Sequence, residues 1–190
     1  MVQQHNPKPQ PKESYMSSFQ DRIIRAARLD VHLYEEVEAD KGAMKQAMGV
    51  VILSGLAAGI GSISVSGGAG VVMATVTALA GWYLWAFLTY FIGTRFLPEP
   101  GTKADHNELL RTIGFSSAPG LLRVLGIIPF LYGIVFIVSG IWMLVAMVIA
   151  VRQALDYRST LRAVVVCIIG WLIQGLLFYL VFAVVGGAAG

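Results

Sequence analysis

The chain has 190 residues, of which 56% are hydrophobic and only 13% charged, with 21 glycines and a formal net charge of +3. Soluble domains carry about 25% charged residues, so the composition excludes a soluble globular domain and argues against nucleic acid as a partner. The basic excess points to anionic headgroups, and so to membrane lipids as partners.

Met1 to about Met16 is polar, carries Pro7, Pro9 and Pro11, and lacks the apolar core of a signal peptide; it is expected to be a flexible tail. Ser17 to Asp40 has helical periodicity. Phe19, Ile23, Ala26, Ala27, Leu33, Tyr34 and Val37 share one arc, while Arg22, Arg25, Arg28, His32, Glu35 and Glu36 fill the other. Ser18 and Asp21 have the spacing of a capping box. The segment 17–45 is therefore predicted as an amphipathic helix lying on the cytosolic face, too polar to cross.

The rest of the chain alternates between apolar runs and short charged or turn-rich links. Gln46–Ser64 is long enough for a first span, since about 20 helical residues cross roughly 30 Å of hydrocarbon. Val65–Gly70 is an uncharged turn, Val71–Leu97 a second span, and Glu99–Arg111 a polar loop that becomes helical at its end. Thr112–Val151 is too long for one crossing and holds Pro119 and Pro129, which disfavour a continuous helix. It is read as a hairpin of spans 112–129 and 131–151, turning near Pro129–Gly133. The last span is 163–185. Cys167 within it has no intrachain disulfide partner and reads as small apolar packing.

Charge decides between four crossings and five. No Asp, Glu, Lys or Arg occurs over Gln46–Thr94, Val124–Val151 or Ala163–Gly190. Basic residues sit in the arm (Lys8, Lys12, Arg22, Arg25, Arg28, Lys41, Lys45), after the second span (Arg95, Lys103, Arg111) and before the last (Arg152, Arg158, Arg162). Five spans put all three groups on the cytoplasmic side and both uncharged segments on the other, as basic residues distribute in short loops. The expected fold class is thus an all-α polytopic bundle of five transmembrane helices, the third short or broken, with the N-terminus cytoplasmic and the C-terminus non-cytoplasmic. Arg123 lies awkwardly within the third span unless that segment tilts, starts late or lets the side chain snorkel.

Several residues stand out from this apolar background. Gly55 and Gly59 form a G-x-x-x-G that lets helix backbones approach closely, either within the bundle or between copies. Gln174 is a polar residue inside the last span, suited to an interhelical hydrogen bond. Arg22, Arg25 and Arg28 recur every three residues and are candidates to clamp anionic lipid. Glu35 and Glu36, with Glu38 and Asp40, form a candidate face for a basic partner. Trp82, Trp85, Trp142 and Trp171 fall in span interiors rather than at interfaces and read as packing. Reversed His32/Glu35/Glu36 spacing on a polar face does not match a di-metal bundle site. No H-E-x-x-H, P-loop or G-x-S-x-G occurs. The sequence therefore predicts no enzyme, no cofactor and no metal site.

Two adjoining segments, NELLRTIGFSSAPGLLRVLGIIPFLYG and IWMLVAMVIAVRQALDYRSTLRA, carry a resemblance. Through Arg111, Gly114, Pro119, Leu122, Gly126, Pro129, Ile141, Trp142, Ala154, Leu155, Ser159 and Ala163 the chain resembles the Yip family, polytopic membrane proteins first known as interactors of Ypt/Rab GTPases. The resemblance covers about Gln46–Val185 and implies a cytosolic N-terminus and five hydrophobic segments. It also implies a non-enzymatic scaffold or adaptor that organises other membrane proteins, itself, or the bilayer. Eukaryotic members carry a longer arm with an Asp-Leu-Tyr-Gly-Pro type motif; this chain has LDVHLYEEV without the Gly-Pro, like short prokaryotic members. That departure argues against a Rab-type GTPase partner. The second reading is a small transporter or lipid-handling protein built on the broken segment Pro119–Pro129 and Arg123, because irregular helix at membrane depth lines cavities.

Overall fold

A computed structural model describes residues 18–187. The tail expected over 1–16 lies outside the described residues, as do the last three. Among the described residues all regular structure is helical, and four helices are long and apolar enough to cross a membrane.

The arm forms two helices rather than the single one expected, α1 (Phe19–Ala27) and α2 (Val31–Ala39). The Ser18 hydroxyl accepts from the Asp21 amide at 3.2 Å and opens α1. Leu29, at φ 61°, closes it: the Leu29 amide donates to Ala26 O and the Asp30 amide to Arg25 O. This pair of bonds is the Schellman ending, with leucine in the left-handed position that glycine more often fills. Asp30 then caps α2 by accepting from the His32 amide at 3.0 Å. The break leaves the apolar face intact, because Ala26, Leu33, Tyr34 and Val37 are all buried against Ala43, Ala47, Val50 and Phe115.

α3 (Ala43–Gly61) starts one turn earlier than the expected first span and packs along α5 (Ala69–Arg95). Their seam is made of small residues. A Cβ at Gly55 would sit 2.8 Å from Thr75 Cα, and one at Gly59 would collide with the Val71 backbone. The G-x-x-x-G is therefore filled from within the chain. Between the two helices the turn-rich link forms a single helical turn, α4 (Ile63–Ser66), and reverses at Gly67, whose φ of 68° suits a residue without a Cβ.

The expected third span over 112–129 is not a continuous α-helix. α6 (His106–Ser116) reaches only its first five residues, 112–116, and begins before it, with the Glu108 side chain accepting from the Asp105 amide at 2.8 Å as in a capping box. A 3₁₀ segment, Ala118–Ile127, follows, then a short 3₁₀ turn at Pro129–Leu131. Pro119 has no amide hydrogen and its ring clashes with a preceding α-turn, so the α-helix stops before it. Glycines still hold the broken segment beside α3. Gly114 lies against Ala47, Gly120 against Ser54, and Gly126 within 3.0 Å of Gly61 O measured from an ideal Cβ. Those pairings run in step from one end of α3 to the other. From Ala47 to Gly61 is fourteen helical residues, so between Gly114 and Gly126 the segment follows α3 for about 21 Å.

α7 (Tyr132–Ala154) and α8 (Thr160–Gly187) complete the bundle. Apolar side chains on α5, α7 and α8 face outward, among them Val72, Phe87, Ile134, Ile141 and Leu176. Such an exposed apolar belt suits lipid rather than water. The second buried cluster, around Trp85, Ile92, Leu109, Ile113, Leu155 and Val166, ties α5, α6, α7 and α8 together near their charged ends.

Because Gly59 meets backbone within its own chain, Gly59→Leu is expected to destabilise the monomer by about 1–3 kcal/mol or more, as overpacking does. A lowered thermal midpoint at unchanged oligomeric state in detergent is the expected outcome. A dissociated dimer of unchanged midpoint would assign the motif to an interface between copies.

Candidate functional site

The three charged segments meet at one end of the bundle. Arg22, on α1, is buried at 4% exposure and reaches three partners: Nε donates to Glu36 Oε1 at 2.9 Å, Nη2 to Asp40 Oδ2 at 2.8 Å, and Nη1 to Gln46 Oε1 at 2.9 Å. Arg25 donates to Asp30 Oδ2 at 2.8 Å and Glu36 Oε2 at 2.6 Å. These contacts lock α1 to α2 and to the start of α3. They hold the Asp40 and Asp30 carboxyls below their usual range, through Arg22 and Arg25 respectively, and raise Arg25 through Asp30. Of the three arginines expected to clamp lipid, Arg22 and Arg25 are engaged inside the fold. Arg28 is exposed. Likewise Glu36 faces the arginines, whereas Glu35 is exposed and accepts from Gln153 on α7 at 2.9 Å.

A second set of side chains caps helix ends across the same surface. The last carbonyls of any helix lack partners within it. Arg111, buried on α6, donates from Nε to Val37 O at 2.9 Å and from Nη2 to Glu38 O, closing α2. The Tyr157 hydroxyl faces Gly93 O at 3.1 Å and Leu97 O at 2.7 Å, closing α5. Burial pushes that hydroxyl up to about 12. Arg162 pairs with Glu99 at 3.3 Å and donates to Pro98 O at 2.7 Å, and the Arg158 amide donates to Glu99 Oε2 at 3.0 Å. In the sequence Arg111 stands among the basic topology residues and among those that carry the family resemblance, with no capping role assigned to it. The signal available was its position after the apolar pair Leu109 and Leu110, on the buried face of α6.

Glu35, Glu38, Glu108, Gln153 and Asp156 line a recess on this surface. Burial, then Asp156 and Glu108, push the Glu38 carboxyl up to about 7; Arg111 opposes them and Glu35 adds to them.

The second feature is a cavity of about 580 Å³ between α3, α5, α7, α8 and the broken segment. It gathers residues that were singled out separately in the sequence: Gly55, Arg123 and Gln174, with Trp82, Trp85 and Trp171. Gln174 lies over Gly81, its Nε2 3.3 Å from where a Cβ would be. Arg123 donates from Nε to Ser139 Oγ at 3.2 Å, and its guanidinium stands 5.4 Å from the Phe136 ring centroid. No carboxylate pairs with it among the described residues. Pro119 and Pro129 bracket the 3₁₀ stretch that carries it.

A raised carboxyl makes the arm's seating depend on pH. Because the folded-state value of Glu38 exceeds that of an unfolded carboxylate, its contribution is full below about pH 4.5 and is lost as pH rises through about 7. Protection factors of the α2 amides, with the intrinsic base-catalysed exchange rate divided out, should therefore be lower at about pH 8 than at about pH 5, and Glu38→Gln should flatten the difference.

No curated protein and no solved structure gives a significant match to this chain. The family model of the Yip1 domain matches residues 42–183. The match begins at the residue before α3 and runs through the α3–α5 seam, the α6–3₁₀ segment and most of α8, so the chain is a membrane protein of the Yip1 domain family.

Proposed function

We propose that this protein is a non-enzymatic integral membrane scaffold or adaptor whose partner-facing surface is the platform formed by α1, α2, α6 and the α7–α8 link. The observation that carries the reading is the seating of that platform. Buried Arg22 and Arg111 bind it to the first span and to α6, so it offers a fixed surface rather than a loose arm. A rigid surface binds without the entropic cost of ordering. On its outer side Ile24, Val31, Arg28, His32, Glu35 and Lys41 are exposed, a mixture of apolar and charged groups suited to contact with other membrane proteins or with a second copy.

In this reading the chain crosses the bilayer five times, the α6–3₁₀ segment being the third crossing. The step-by-step pairing of Gly114, Gly120 and Gly126 along α3 supports a full traverse. Contact of Glu99 with Arg158 and Arg162 supports one side for both basic links. The platform then faces the cytoplasm, where basic residues accumulate, and the α3–α5 turn faces away. The LDVHLYEEV arm, without Gly-Pro, favours partners other than Rab-type GTPases.

Single cysteines at Lys103, Arg158 and Gly67 are expected to label with membrane-impermeant reagent from two sides: the first two together from the cytoplasmic face, Gly67 from the opposite one. Labelling of Lys103 and Arg158 from opposite faces would overturn the five-crossing topology.

Photocrosslinking amino acids at Ile24 and Val31 are expected to capture protein partners, or the chain itself, in native membranes. A control at Leu176, on the outward apolar face of α8, is expected to capture mainly lipid. Equal, protein-free patterns at all three positions would remove the adaptor role from the platform.

A further inference from the structure

A cation lines the cavity with no carboxylate to meet it among the described residues. Arg123 is half-buried on the 3₁₀ segment; its protein contacts are one neutral hydroxyl, Ser139, and the face of Phe136. The cavity lining holds Arg123 and no Asp or Glu. Desolvating a guanidinium without a counter-charge is unfavourable, and intramembrane cations ordinarily pair or line functional paths. Two further polar groups on the wall lack protein partners. The Trp85 indole N–H is buried without an acceptor, and the Gln174 amide makes no protein hydrogen bond among the described residues.

The cavity's placement matches one kind of molecule. The Arg123 carbonyl abuts Gly61, the last residue of α3, so the guanidinium stems from the uncharged end of the bundle, near headgroup level. From there the lining descends along α5 from Met73 to Trp85. Twelve helical residues at 1.5 Å cover about 18 Å, close to the depth of one leaflet's hydrocarbon. The walls along that path are apolar, with Ala58, Met143 and Phe178 among them, and the volume falls within the range of about 300–1,000 Å³ usual for ligand pockets.

We propose that this cavity binds one anionic phospholipid from the leaflet opposite the charged platform, with the phosphate on Arg123 and an acyl chain running down α5 toward Trp85. The headgroup supplies the counter-charge that Arg123 lacks among the described residues, and the acyl chain lies along the apolar wall. The lipid then fills the gap left where Pro119 interrupts helical packing, so it serves as a structural and ligand-sensitive part of the bundle. This site is independent of the platform and stands whether or not the platform binds a partner.

The test is native mass spectrometry of the full chain released from neutral detergent, with added phosphatidylglycerol, phosphatidylcholine, oleate or inorganic phosphate as separate probes. Wild type is expected to keep one phosphatidylglycerol per chain, with a preference over phosphatidylcholine of at least about fivefold, the effect of one basic residue near an anionic surface. Arg123→Gln is expected to lose the preference and Arg123→Lys to keep part of it. Thr77→Trp, which fills the cavity while leaving Arg123 in place, is expected to lose the adduct. A photoactivatable phosphatidylglycerol should crosslink to wild type at Met143, a measurement that needs no variant to fold. The proposal is overturned by equal retention of the two phospholipids in wild type. Displacement of phosphatidylglycerol by oleate or inorganic phosphate at matched concentration would overturn it too, by making the site one for a free anion. Crosslinks confined to the outer faces of α5 and α8 would do the same.

Discussion

Hydrocarbon neither solvates charge nor bonds to a bare carbonyl, and each part of this molecule answers to that constraint. Among the described residues, and with Arg123 the exception, charged side chains are kept to the outermost turns of the long apolar helices and gathered at one end, where the arm, the α5–α6 link and the α7–α8 link converge. There they also terminate helices. Arg111 closes α2 and Tyr157 closes α5, so residues that set the charge balance double as caps for carbonyls that would otherwise lie unbonded. The platform is thus a consequence of the same exclusion that makes the spans apolar.

Within the spans, where burial of apolar surface gives no advantage over lipid, association rests on close approach and on shape. Gly55 and Gly59 bring α3 onto α5, and Gly114, Gly120 and Gly126 bring the broken segment onto the other side of α3. Glycine allows contact on two faces of one helix. The helices beyond them, α7 and α8, carry larger side chains and pack most tightly near the charged end, around Leu155 and Val166. Toward the other end the interrupted 3₁₀ segment and the bulky residues of α8 leave the cavity open. A prolyl break in one segment and a strip of small residues on another are together enough to make a ligand-sized space in a bundle of modest length.

Much of the architecture was legible in advance because it follows from periodicity and charge. The apolar arc through Ala26, Leu33, Tyr34 and Val37 is buried as its 3.6-residue period requires. The interruption at Pro119 follows from the missing amide hydrogen. Other features were not legible. The arm breaks at Leu29, a residue with no preference for the left-handed region, where Asp30 caps a second helix that turns to cover α6 and α7. Arg22 sits on the polar arc of a helical wheel yet is buried, since a wheel cannot show that Glu36, Asp40 and Gln46 will arrive from other elements to surround it.

The sequence by itself determined the solvent and the ends: apolar runs of spanning length, basic residues confined to three segments, and small residues where backbones would meet. Those are local properties, carried by composition and spacing along the chain. Tertiary structure alone decided which charges pair, which caps close which helices, and that Arg123, Gln174 and the tryptophans share one cavity. Those outcomes depend on distances between residues as far apart in the chain as Glu35 and Gln153, and packing, rather than spacing, sets such distances.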